Sequence, residues 1–381
     1  MEELLNEALV RIKEQYGINF TLVKSRPGDV FPEINVGACQ IKFNPKIVSF
    51  LTLYNLLLQL PSIDSEAVTL FRLYNLYLNN DEYQHATLIL EQLEKEVEYI
   101  FQKTKRKSIA PVTQSTEQQI LFILLHETAH AIFHYCPKVR TEYIEIAQRS
   151  IKNIQGLYSS TLPERMKEYM NSFLPEGLPE EIREEAAKEQ FEKFKQYGNL
   201  IFDFSVYLQP DNDGMLEEFA CDRFAWQRAL VHYMEMVGIL GEATLRSNID
   251  ILLTLHILDY DKALRNIFTG DSDDKQIELI RNAGARHASL RDAIWHFYKE
   301  IYPADHSHEF LQLSEKRDER AKRLLMCSTV NHIIDINTLH NIQFRLPEED
   351  MVDKLEKRFA EIEKEIFRLK DSIIKMQNYV W

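Results

Sequence analysis

His126, Glu127 and His130 stand in an otherwise apolar run, LFILLHETAHAIFHYC at 121–136. On a helix, residues four apart lie on one face a turn apart, so both imidazoles can reach a single metal ion. Glu127 is offset by about 100° and can approach water held on that ion. Two neutral ring nitrogens to bind zinc, and an acid to take a proton from water, need this spacing. The apolar flanks bury the helix and give the ligands a dry, rigid frame. Two histidines satisfied as polar groups inside a core are the structural alternative.

A catalytic zinc takes three protein ligands and keeps a fourth position open. The stretch MLEEFACDRFAW at 215–226 offers Glu218, with Asp222 one turn later. The first carboxylate can bind metal, and the second can accept the free ring N–H of a ligating histidine. Glu217 is the rival ligand, but one turn beyond it stands Cys221, a poor acceptor. A solvated acidic face is the alternative. Met215, Leu216, Phe219, Ala220, Phe224 and Ala225 around these acids weigh against it.

HETAH followed by EFACDRFA resembles the gluzincin metallopeptidases, whose third ligand is a Glu in an ExxxD helix. The nearest likeness is to the CAAX prenyl protease and heat-shock membrane protease group. That resemblance implies His126, His130 and Glu218 as zinc ligands, Glu127 as general base and Asp222 as the carboxylate behind a ligand. NVGACQIKFNPKIV (36–48) is similar to the family's strand-then-helix segment, whose strand pairs with extended substrate. GARHASLRDAI (284–294) is similar to a downstream HPSxxxR element, which implies His287 as an oxyanion stabiliser, with Arg286 beside it as a substitute. Two departures stand out: Ala288 replaces the Pro, and the final Arg falls on Ala293, with Arg291 two residues early. His306 and His308 compete with His287. The transmembrane helices of the membrane members are missing. The soluble phage-exclusion peptidases are a looser analogy, through HExxH alone.

The elements that must position these residues are mostly helices. Gly and Pro are scarce at 11 and 12 of 381 residues, which favours helix. The pattern predicts helices over 1–16, 46–60, 64–78, 81–105, 116–134, 215–238 and most of 241–330. The fifth of these starts from a capping box at Ser115 and Gln118. INFTLVK (18–24) and INVGACQIKF (34–43) read as strands. The fold class expected is mainly α (α+β): a zincin-like core with a small N-terminal sheet or hairpin, a large helical insertion and a long C-terminal helix. The divisions are 1–114, carrying the substrate edge strand; 115–138 with 207–330, the catalytic core; 139–206, the insertion; and 346–381. From Val352 to Val380 apolar residues recur at intervals of three and four, a coiled-coil-like seam that suits a homo-oligomer or regulatory partner through 352–380. A long helix packed on its own domain is the alternative.

The formal charge of −14 argues against nucleic acid as a partner. The run Lys103–Lys107 reads as a solvated helix end. Cys39, Cys136, Cys221 and Cys327 form no CxxC pair and suit reduced thiols. No apolar run is long enough to span a bilayer, and the N-terminus lacks a signal peptide's pattern, so a cytoplasmic protein is expected. DNDG and DSDD miss calcium-loop spacing and read as turns. The function expected is a zinc endopeptidase acting on a protein or peptide held along 36–43. An inactive gluzincin-like scaffold or sensor, or a non-peptidase zinc hydrolase, are the alternatives.

Overall fold

The structure, a computed structural model, describes residues 2–26, 28–60, 63, 65–104, 112–172, 179, 185, 204–237, 242–269, 273–301, 309–318, 320, 321, 324 and 351–377. It is mainly α with one small sheet near the N-terminus. Helix α1 (Glu2–Tyr16) ends at Gly17, whose φ of 73° is open to glycine at little cost and lets its N–H close back on Lys13. Strands β1 (Thr21–Lys24), β2 (Glu33–Asn35) and β3 (Gln40–Phe43) follow.

The segment 34–43 is not one strand. Asn35 Oδ1 accepts the Ala38 N–H at 3.2 Å and Cys39 turns through φ 50°, which folds the chain into the β2–β3 hairpin. β3 pairs parallel with β1 and antiparallel with β2, Ile34 opposite Ile41. This corrects the expected substrate edge: β3 is the central strand, bonded on both sides, and β2 is the edge next to the helix that carries HETAH.

Helices α2 (Lys46–Leu58), α3 (Ala67–Asn79) and α4 (Tyr83–Thr104) form the next layer. α2 is apolar all round and buried along almost its whole length, the pattern of an interior helix. α5 (Val112–Tyr135) starts a turn earlier than its capping box implied. The Ser115 hydroxyl is instead drawn 2.6 Å to Asp250 on α8 (Glu242–Thr269). Asn55 of α2 donates to Gln119 at 2.8 Å and to Thr116 at 3.2 Å, and Arg317 donates to Asp250 at 2.9 Å. This polar lattice inside an apolar core sets the register of α5 against α2 and α8.

α6 (Pro137–Ser172) opens on a proline, whose fixed φ suits a first helical turn. Its Tyr143, Ala147, Ile151 and Ile154 are buried, and it packs on α7 (Asp213–Val237) and α9 (Asp273–Ile301). The first part of the 139–206 insertion is therefore built into the core. Most of 173–203 lies outside the described residues. One cluster of buried apolar side chains extends from Leu5 of α1 to Ile366 of α10 (Met351–Gln377), so 1–114 shares its core with the helices after it. Leu355, Phe359, Ile362 and Ile366 of the seam are buried, and α10 packs on α2 and α4. Over 352–366 the seam is used within the chain. The side chains at 369–380 lie outside the described residues. Among the described residues, no helix is long and apolar enough to cross a membrane.

Candidate metal centre

α5 and α7 lie against each other, so HETAH meets EFACD. Nε2 of His126 lies 3.5 Å from Glu218 Oε2, and Nε2 of His130 lies 3.6 Å from Glu218 Oε1. The two rings are 5.1 Å apart and nearly perpendicular. Zinc bonds of 2.0–2.1 Å in a tetrahedron put neighbouring donors about 3.3 Å apart. The observed spacings fit an ion seated between the three side chains, whose ligand atoms all lie within 4.8 Å of one another.

Each ring has a carboxylate behind it. Asp222 Oδ1 is 2.9 Å from His126 Nδ1, and both residues are almost closed off, at 5% and 2% exposed. Glu217 Oε1 is 3.5 Å from His130 Nδ1, and Arg140 Nε holds its other oxygen at 2.9 Å. A carboxylate on Nδ1 fixes the ring and leaves Nε2 to face an ion. Glu217, set aside in the sequence as a lesser ligand, thus stands behind His130 as Asp222 stands behind His126. Cys221 adds only a sulfur 3.5 Å from His130 Nδ1.

Burial alone disfavours a charged His126 ring. Asp222 and Glu218 outweigh it and push the pKa up to about 9. Burial likewise opposes ionisation of Glu218 and Asp222, but His126 and Arg286 hold both below the ordinary carboxylate range. Glu127 has the opposite balance. Its burial dominates and raises the pKa, against the pull of His126 and His130. A base shielded from water with a raised pKa suits proton transfer. The edge strand β2 packs against the same helix. At the hairpin's tip, the Tyr135 hydroxyl donates to Gly37 O at 3.1 Å.

Arg286, named in the sequence as a substitute for His287, stands instead behind the carboxylates. Its guanidinium grips Asp222 through two bonds of 2.6 and 2.7 Å, and its Nη1 is 3.4 Å from Glu218 Oε2. Asp259 of α8 lies 4.0 Å from the same Nη1, and burial lifts its pKa to about 6. No local signal marks the Arg286–Asp222 pair, because 64 residues separate its halves.

His287, expected as the oxyanion donor, is placed elsewhere. It lies inside α9, which runs unbroken from Asp273 to Ile301. Successive helical residues diverge by about 100°, so Arg286 takes the side of Glu218 and His287 turns to His256 and Asp318. Burial, reinforced by His256, lowers the His287 pKa to about 4. His306 and His308 lie outside the described residues.

Compared with protein-family models, curated proteins and solved structures, the chain matches none of them.

Proposed function

We propose that the chain is a zinc-dependent endopeptidase of gluzincin type. The observation that carries this reading is the convergence of His126 Nε2, His130 Nε2 and the Glu218 carboxylate at 3.5–3.6 Å, with Glu127 beside them on the same helix. His126, His130 and Glu218 would hold the ion. Zinc, when bound, supplies Lewis acidity to a carbonyl and lowers the pKa of water.

The chain's own groups do the rest. Asp222 and Glu217 orient the rings, and Arg286 keeps Asp222 ionised in a buried position. Glu127 accepts the proton of the attacking water and delivers it to the leaving amine. An extended peptide would lie beside β2, the sheet edge that packs against α5. The substrate is accordingly a protein or peptide in an extended conformation.

Glu127→Gln tests the reading. Zinc content by mass spectrometry should equal that of the wild type, while cleavage of an unfolded protein such as casein should fall at least a hundredfold, the order lost with a general base. Cleavage at the wild-type rate by the variant would remove Glu127 from the mechanism. A wild type without zinc would remove the metal.

A further inference from the structure

We infer that His256, His287 and Asp318 form a second divalent-metal site, separate from the His126, His130 and Glu218 centre. Three elements bring the donors together: α8 supplies His256, α9 supplies His287 and the helical segment 309–318 supplies Asp318. Nε2 of His256 is 3.1 Å from Asp318 Oδ1, and Nε2 of His287 is 3.4 Å from the same oxygen. The donor atoms of the three residues all lie within 4.8 Å of one another. Both spacings lie close to the tetrahedral donor edge of about 3.3 Å that zinc requires.

Two further observations favour an ion over a plain hydrogen-bonded cluster. His287 Nε2 is buried, yet its contact with Asp318 does not align as a hydrogen bond. That long, poorly aligned contact leaves room for an ion shared by the ring nitrogen and the carboxylate oxygen. The imidazoles of His256 and His287 also stack at 4.4 Å, only 26° from parallel. That arrangement turns both Nε2 atoms to one side, toward a single carboxylate oxygen. The other oxygen of Asp318 faces Arg291 at 4.0 Å, and Arg291 in turn pairs with Glu315 at 3.2 Å. One carboxylate oxygen therefore remains for the ion. Two imidazoles and one carboxylate suit zinc or another divalent first-row ion and do not suit calcium or magnesium.

The ion's place in the fold indicates what it does. It would pin α8 and α9 to the segment 309–318. α8 and α9 also carry Asp259 and Arg286, which stand behind Asp222 and Glu218. The second ion would thus be a structural brace for the wall of the first centre.

Zinc counting separates the two sites. The full-length chain, dialysed against excess zinc and then freed of unbound metal, should carry two equivalents. His126→Asn with His130→Asn should retain one, and Asp318→Asn should retain one. All four substitutions of His126, His130, His256 and Asp318 should leave none. One equivalent in the wild type that is lost entirely with His126→Asn and His130→Asn would overturn the second site and leave the first intact. One equivalent lost only with Asp318→Asn would overturn the first and leave the second. If Asp318→Asn does not fold, cobalt titration of the His126→Asn, His130→Asn chain decides the matter. One equivalent with visible d–d absorption supports the brace, and none overturns it.

Discussion

At the scale of the residue, the centre is a ranking of carboxylates. Glu218 faces both Nε2 atoms, whereas Glu217 and Asp222 each stand behind one ring at Nδ1. Glu218→Ala should abolish tight zinc binding at this centre. Glu217→Ala and Asp222→Ala should each weaken it by roughly 10–100-fold, the usual effect of losing an orienting partner. Competition with a zinc-binding dye reads all three, and equal losses would dissolve the ranking. Asp259 gives a test by pH. Its folded pKa of about 6 stands above its ordinary 3.8. For a raised carboxyl, the stability it lends is complete below 3.8 and is lost as pH rises through about 6, amounting to roughly 3 kcal/mol. In metal-free protein, Asp259→Asn should remove that decline between pH 4 and 7. Denaturant midpoints of the two chains that run parallel over this range would refute the buried carboxyl's role. The grouping of His126, His130 and Glu218 was legible in the sequence, because His126–His130 and Glu218–Asp222 each keep the four-residue spacing of one helix face. The pairing of Arg286 with Asp222 was not, since an ion pair between distant helices leaves no periodic mark.

At the scale of the element, local signals were read well where one helix decided them and poorly where a distant partner did. α5 and α7 follow their apolar pattern closely. Ser115 resembled a cap, but Asp250 claims its hydroxyl from 135 residues away. The strand over 34–43 was split by a side-chain turn at Asn35 that β propensity cannot register. The resulting hairpin is tethered to α5 by Tyr135. Tyr135→Phe removes one exposed hydrogen bond, which contributes about 0.5–1.5 kcal/mol. Amide exchange at 35–40 should quicken by roughly twofold to tenfold while α5 stays protected. Unchanged exchange there would mean that the Tyr135 bond does not hold the hairpin in place.

At the scale of the whole molecule, α10 decides whether the core closes. Phe359 stacks on Tyr74 at 4.7 Å and meets Phe71 edge-on at 5.0 Å. Lys46, largely buried, is answered by Glu356 at 2.8 Å. The heptad-like period was readable in the sequence. That its partners are α2 and α4, rather than another chain, was not, because a seam's period is the same whichever surface it meets. Phe359→Ala should cost about 3–5 kcal/mol, the range for truncating a buried aromatic, seen as a fall in thermal midpoint. A loss below 1 kcal/mol would mean that α10 is not part of the core.

That closure also has a clock. Lys46 and Glu356 are 310 residues apart. At the 5–20 residues per second of protein synthesis, about 15–60 s separate their emergence. Throughout that interval the nascent chain lacks the helix that covers Phe71 and Tyr74. The seam's natural competitor is therefore whatever chaperone or neighbouring nascent chain reaches this face before residue 356 is made.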